Sequence, residues 1–186
     1  MRRVIVKILT SIIYLWGCIW YDKKYLVGKN FTRDHFSIGW KWILKYWFSQ
    51  KVLRYNAKVK FPAPITVKYG NPDNIIFNPD DMASLQSPGC YFQALNAKIV
   101  IGKGTKIAPN CGIITTNHDF DDLDKSSEGK EIIIGERCWL GMGAIVLPGV
   151  ILGEHTIVGA GSIVTKSFIE GNCVIAGNPA KLIKKL

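Results

Sequence analysis

Between residues 134 and 164 an aliphatic side chain falls on every sixth position: Ile134, Leu140, Val146, Leu152, Val158 and Val164. Glycine follows four of them, at Gly135, Gly141, Gly153 and Gly159. Two positions ahead of each stands a small or β-branched residue: Ile132, Cys138, Ala144, Val150, Thr156 and Ser162. A period of six suits neither an α-helix nor a two-faced strand, whose periods are about 3.6 and 2. It suits a solenoid in which each short strand supplies one inward aliphatic and then turns a corner. The spacing predicts an all-β solenoid, a β-helix whose coils of three beats stack at the usual inter-strand distance of about 4.8 Å.

Upstream the beat continues through Leu95, Ile101, Ile107 and Ile113, and stepping back by sixes also meets Val59, Ile65, Phe77 and Ala83. Asn71 and Gly89 interrupt it, so the early coils carry small insertions. This sets the solenoid at residues 56–186, with a short C-terminal tail, and a separate segment at 1–55. Ile113 and Ile134 are 21 residues apart, which is no multiple of six. The polar stretch at 117–131, opening with Asn117-His118-Asp119-Phe120, therefore reads as a loop ejected from the coil. Loops held on rigid scaffolds are where chemistry concentrates.

The net charge of +10 is carried by one end of the chain: residues 1–60 hold 13 Lys/Arg against 2 acids. Five of the six Trp lie there too, at Trp16, Trp20, Trp40, Trp42 and Trp47. The apolar run Val4–Tyr21 lacks a small-residue cleavage site and is short for a bilayer span of about 20 residues. On a helical wheel Lys7, Thr10, Ser11 and Cys18 share one narrow face and the rest is apolar, which predicts an in-plane amphipathic helix. Residues 35–54 repeat the theme, with Lys41 and Lys45 one turn apart among Trp40, Trp42, Ile43, Leu44, Trp47 and Phe48. Interfacial aromatics beside basic residues suit an anionic lipid surface. A cap over the open solenoid end, or packing on a neighbouring subunit, is the other reading. No RNA- or DNA-binding motif accompanies the basic residues, so no nucleic-acid partner is expected.

Five Cys (Cys18, Cys90, Cys111, Cys138, Cys173) show no metal-ligand spacing. Cys111 and Cys138 sit two before a beat, where a small buried side chain belongs, and the pattern suits a reducing cytoplasm. Among three His, His118 opens the ejected loop, while His35 and His155 read as structural.

The strings Ile134-Gly135-Glu136-Arg137-Cys138-Trp139-Leu140-Gly141, Val146-Leu147-Pro148-Gly149-Val150, Val158-Gly159-Ala160-Gly161-Ser162-Ile163-Val164-Thr165-Lys166 and Ala176-Gly177-Asn178-Pro179-Ala180-Lys181 closely resemble the hexapeptide-repeat acetyltransferases. Ile107-Ala108-Pro109-Asn110 and Asn117-His118 match as well. The resemblance covers roughly residues 95–186 and is greatest to the sugar O-acetyltransferase branch, which includes the maltose, galactoside and nodulation-factor enzymes. It implies a left-handed parallel β-helix; the handedness rests on the resemblance, because parallel crossovers are otherwise right-handed. It also implies a homotrimer with active sites between subunits, acetyl-CoA as acyl donor and no metal.

The same resemblance makes His118 the general base, a role that an imidazole titrating near neutrality suits. A base needs an orienter on its other nitrogen. Asp119 is the nearest acid, with Asp121, Asp122 and Glu128 as alternatives. Asn117 is the acceptor-binding candidate; the Asn that contacts acceptor in some sugar acetyltransferases has no counterpart, since constant spacing lands on Pro88. By resemblance the amides around Gly141-Met142 lie near the thioester, with Trp139 lining the pocket. The CoA arm would run past Gly159, Ala160, Thr165 and Lys166, with Lys181 and Lys184 near the nucleotide phosphates.

These features lead to an acetyl-CoA-dependent O-acetyltransferase acting on a sugar hydroxyl, of a polysaccharide precursor or lipid-linked glycan, at the cytoplasmic membrane face. The alternative is a soluble acetyltransferase acting on a free sugar, a serine-type amino acid or a nucleotide-amino-sugar. A metal hydratase on this fold needs three His, and the solenoid holds only His118 and His155. A non-catalytic assembly protein would leave the His118→Ala change without consequence.

Overall fold

The structure, a computed structural model, describes residues 2–33 and 35–186. Met1 and Asp34, both within the basic N-terminal segment, lie outside the described residues. The chain divides into two compact units at Ile65/Thr66. This is downstream of the 55/56 boundary read from the sequence, and Gln50 is a reason. Its fully buried amide donates to the carbonyls of Val59 and Phe61 and accepts from the Ala63 N–H. Buried polar groups of this kind tie down the chain that pairs with them.

The second unit is built of short strands, in chain order β1 (Lys68–Tyr69), β2 (Ile75–Phe77), β3 (Tyr91–Phe92), β4 (Ile99–Ile101), β5 (Lys106–Ile107), β6 (Gly112–Ile113), β7 (Ile132–Ile134), β8 (Trp139–Leu140), β9 (Ile145–Val146), β10 (Ile151–Leu152), β11 (Thr156–Val158), β12 (Ile163–Val164), β13 (Cys173–Gly177) and β14 (Ala180–Lys185). They form three sheets, ordered β1-β3-β6-β9-β12, β10-β7-β4-β2 and β14-β13-β11-β8-β5. From β3 to β12 the chain visits the three sheets in rotation. Pairing is parallel throughout except for β14, which folds back antiparallel on β13 and covers the edge of the third sheet.

The registers show where the six-residue rule holds. Ile133 pairs with Ile151, Trp139 with Ile157 and Ile145 with Ile163, each an 18-residue step. All six beat residues from Ile134 to Val164 are buried, as are the six positions two before them. Pairs that straddle the loop, Ile99 with Ile132 and Gly112 with Ile145, are 33 apart. The excess over 18 equals the 15 residues of 117–131, so the loop leaves the circuit and returns without disturbing its register.

The upstream beat holds at Ile101, Ile107 and Ile113, which are buried, but not before them, from Ile65 to Leu95. Leu95, Ala83 and Ile65 are exposed, and Phe77 is only half-buried. Here the registers widen to 24 for Ile75 with Ile99 and 23 for Lys68 with Tyr91. A 3-10 stretch, Pro79–Gln86, takes up extra chain and turns Met82 and Leu85 inward instead.

Two locally encoded features hold neighbouring circuits together. A Cβ added at Gly135 would lie 2.7 Å from the Glu154 nitrogen, and one at Gly141 would lie 2.6 Å from the Ala160 nitrogen. The glycine after the beat is thus required by backbone passing directly beneath it. The Cys111 and Cys138 thiols donate to the Gly141 and Gly153 carbonyls, both 3.2 Å away in the next circuit. Burial pushes the Cys138 thiol pKa up, which keeps it protonated and unreactive.

In the first unit, α1 (Arg2–Trp20) packs beside α2 (Ile38–Trp47), which continues as a π-helical turn, Phe48–Val52. The expected amphipathic helices form, but their faces differ from the wheel reading. Thr10, in the polar stripe of α1, is fully buried and bonds back to the Val6 and Lys7 carbonyls. Gly17 lets Ile43 approach so closely that a Cβ would sit 2.9 Å from its Cδ1. Small side chains therefore mark the helix–helix contact. Trp40 and Trp42, read as interfacial, are buried within this unit, Trp40 against Phe31 at 5.2 Å.

Candidate active site

The ejected loop is braced by its own polar groups. Its base is pinned by Gln93, whose side-chain oxygen accepts from the Thr116 N–H at 2.8 Å, and by Lys130 N–H to the Thr115 carbonyl. An antiparallel bridge pairs His118 with Ser126, and Ser127 N–H donates to the Asn117 carbonyl. The side chain of Asp119 accepts from the Asp121 and Asp122 N–H groups at 2.9 and 3.1 Å. Aspartate folding its own following backbone into a turn is ordinary loop chemistry.

These bonds bring the Leu123 carbonyl to 2.8 Å from His118 Nδ1. A carbonyl only accepts, so Nδ1 carries a proton, and in the neutral ring the lone pair is left on Nε2. This corrects the sequence reading of the orienter: Asp119 shapes the loop that supplies Leu123, and the Leu123 carbonyl holds the imidazole. Such an imidazole is set to take a proton at Nε2.

The ring lines a cleft of about 510 Å³, together with Asn117, Asp119, Phe120, Lys130, Leu147, Pro148 and Thr165 among others. Leu147 and Thr165 occupy the same corner in successive circuits, just after β9 and β12, and Leu147 N–H bonds the Val164 carbonyl. Sequence reasoning named Asn117, His118, Asp119 and Thr165 but assigned no role to Leu147, Pro148 or Phe120. The signal was there for Leu147, which lies 18 residues before Thr165.

The remaining candidates lie elsewhere on this unit. Trp139 is exposed on the third sheet between Lys106 and Ile157. Gly141, Met142, Gly159 and Ala160 stand at the corner between the third and first sheets, and the cleft opens at the corner between the first and second. At the former corner Gly141 N–H is bonded to the Val158 carbonyl, Gly143 N–H to Pro109 and Gly161 N–H to Met142. The expectation of oxyanion donors around Gly141-Met142 is therefore narrowed. Gly141 is already engaged, while the N–H groups of Met142 and Ala160 are absent from these backbone bonds and stack one circuit apart.

Lys166 has its ammonium over the Phe168 ring at 5.8 Å and borders a second cavity of about 320 Å³ with Leu182 and Lys185. Lys181 and Lys184 lie exposed on β14. His155 occupies a corner with φ 55° and bonds the Glu136 carbonyl through its N–H. Among the described residues no group of three His, Cys, Asp or Glu could hold a metal ion.

The two possible roles of Asp119 separate by substitution. Asp119→Asn keeps a side-chain oxygen for the loop amides, and we expect turnover within about threefold of wild type. Asp119→Ala removes the acceptor, and kcat should fall by about 10-fold or more. If Asp119 held the imidazole by charge, the asparagine variant would instead lose on the order of 10⁴-fold in kcat.

Known proteins resemble this chain in sequence and fold. Residues 131–166 match the family model for bacterial transferase hexapeptide (six repeats). A Dictyostelium discoideum protein provisionally named an acetyltransferase is 52% identical over 91 residues, 47% of each chain. A crystal structure of a maltose O-acetyltransferase from Clostridium difficile 630 is 32% identical with a TM-score of 0.55, covering 67% of this chain and 65% of that one. A hexapeptide-repeat-containing acetyltransferase of Vibrio cholerae O1 biovar eltor, solved with acetyl-coenzyme A, aligns with a TM-score of 0.50 over 67% of this chain and 66% of that one; at 22% identity it bears on the fold alone. The chain spans about half the length of the curated relatives it matches. The resemblance read from the hexapeptide strings is thus found independently, by sequence and by structure.

Proposed function

We propose that this chain is an acetyl-CoA-dependent O-acetyltransferase of the hexapeptide-repeat family, folded as a left-handed parallel β-helix, with a sugar hydroxyl as acceptor. The observation that carries the reading is the His118 imidazole, protonated at Nδ1 by its bond to Leu123 and set in a cleft at a corner of the coil. The maltose O-acetyltransferase similarity supports both the acceptor class and the transfer of an acetyl group.

In this mechanism His118 Nε2 takes the proton of the acceptor hydroxyl as its oxygen attacks the thioester carbonyl carbon. The carbonyl becomes an oxyanion, for which the Met142 amide is the donor this chain offers. Collapse breaks the C–S bond, and the imidazolium returns its proton to the departing thiolate. Products are an acetyl ester and CoA. The cleft rim supplies Asn117 for acceptor hydroxyls. CoA would lie along the corner of Trp139, Gly141, Met142, Gly159 and Ala160, then past Thr165 and Lys166 towards the Lys181 and Lys184 charges.

The two halves of this site stand on different corners of the unit. A homotrimer brings the His118 corner of one copy against the Met142 corner of the next, and we propose that assembly. The acceptor we favour is a polysaccharide precursor or lipid-linked glycan on the cytoplasmic face.

The test is a radiolabel assay. Labelled acetyl-CoA is added to a cell extract with wild type or with His118→Ala, and label is followed into glycolipid and soluble sugar fractions. His118-dependent label in glycolipid is the expected result. Label confined to soluble sugars would sink the glycan acceptor, and label independent of His118 would sink the base.

A further inference from the structure

In α1 a continuous arc of aliphatic residues faces outward, with Arg3 and Lys7 exposed to one side of it. Val4, Ile5, Ile8, Ile12, Leu15 and Ile19 share one arc of the helix, and all are strongly exposed, Ile19 at 72%. Among the described residues of α1 no charged side chain falls on that arc, while Thr10 and Gly17 face α2. The helix is thus inverted relative to one covering a water-soluble core. On α2 and its π-helical extension, Leu44, Phe48 and Val52 are exposed at four-residue steps, with Lys41 and Lys45 exposed beside them. Trp16, Trp20 and Trp47 cluster at the end of α1, with ring centroids 4.9 and 5.9 Å apart, and the Trp47 Nε1 is buried without an acceptor. Six strongly exposed aliphatic side chains on one arc of a helix in a folded unit mark a surface built to be covered.

We propose that α1 and α2 together seat this unit in the plane of an anionic lipid bilayer, the aliphatic arc of α1 in the acyl boundary and the lysines of α2 at the headgroups. Charge selects this occupant over a second copy of the chain. Residues 1–60 carry 13 Lys/Arg against 2 acids, so two copies meeting here would repel, whereas anionic headgroups neutralise that charge. Tryptophan rings prefer the headgroup level. The pairing of the helices selects in-plane seating over spanning. One face of α1 is engaged by α2 through the Gly17–Ile43 approach, and α2, ten residues long with two lysines, cannot accompany it across about 30 Å of hydrocarbon. The helix faces carry this inference independently of the acetyl-transfer reading.

The experiment is vesicle flotation of the full chain, synthesised cell-free in the presence of liposomes. Wild type should float with phosphatidylcholine–phosphatidylglycerol vesicles and at least about fivefold less with phosphatidylcholine alone. Ile8→Glu/Ile12→Glu, altering two exposed positions, should lower flotation by about tenfold while its circular dichroism and melting stay at wild type. Lys41→Glu/Lys45→Glu should abolish the preference for anionic vesicles. Equal flotation of wild type and Ile8→Glu/Ile12→Glu would overturn the proposal. So would wild type that stays unbound and forms an oligomer dispersed by the same pair, which would make the face a homotypic interface. Resistance of the bound protein to alkaline extraction would overturn in-plane seating in favour of a span.

Discussion

His118→Ala should lower kcat for acetyl transfer by about 10³-fold, within the range that a positioned general base contributes. In the proposed mechanism the imidazole acts as the hydroxyl proton leaves and not in donor binding, so the loss should fall on kcat. CoA affinity, measured by calorimetry, should stay within about twofold of wild type. The fold should survive, since His118 is exposed and its imidazole is held by a loop carbonyl, not by the coil. His118→Asn sharpens the test. Its amide can still donate to Leu123 but offers no basic nitrogen, so it should be as inactive as the alanine variant. If the His118→Asn variant kept turnover within tenfold of wild type, the side chain would be a loop brace and not a base.

The second large effect is on the coil. Gly135→Ala should destabilise the solenoid by about 3 kcal/mol, at the upper end of the usual cost of overpacking. Its added methyl would lie 2.7 Å from both the Glu154 nitrogen and the Gly153 carbonyl carbon, which are backbone of the neighbouring circuit and cannot rotate away. The same position also receives the preceding circuit, where a Cβ on Gly102 would lie 2.4 Å from the Gly135 carbonyl carbon. For a unit of this size the loss corresponds to a fall in melting temperature of about 10 °C. Gly161→Ala is the control: nothing lies within 4 Å of its Cβ, and only its φ of +66° is strained. It should cost about 1 kcal/mol. Equal melting temperatures for the two variants would show that the circuits can part at Gly135 without penalty.

Much of the coil was legible because its signal is local and repeated. The beat from Ile134 to Val164, the small residues two before it and the glycine after it each answer to a neighbour one circuit away, and that neighbour obeys the same rule. The length of the ejected loop was legible for the same reason, as a defect in the period. The early circuits were not. Leu95, Ala83 and Ile65 satisfied the count but face outward, because Pro79–Gln86 and the wider registers absorb residues that counting by sixes cannot see. In the site, a titratable residue in a polar loop drew attention to His118, yet proximity in sequence favoured the wrong partner. Asp119 is adjacent but spends its oxygen on the amides of Asp121 and Asp122, and Leu123 reaches the ring only because the loop folds back.

The sequence by itself determined the periodic coil, the place where it breaks and the concentration of basic and aromatic residues at one end, since each is a pattern among near neighbours. Only the tertiary structure decided which carbonyl orients His118, that the candidate residues divide between two corners of the coil, and that α1 turns Thr10 and Gly17 inward and its aliphatic arc outward. Those outcomes depend on which distant segment packs where: small side chains allow the closest approach of a partner helix, and a backbone acceptor carries no residue-specific mark in the sequence.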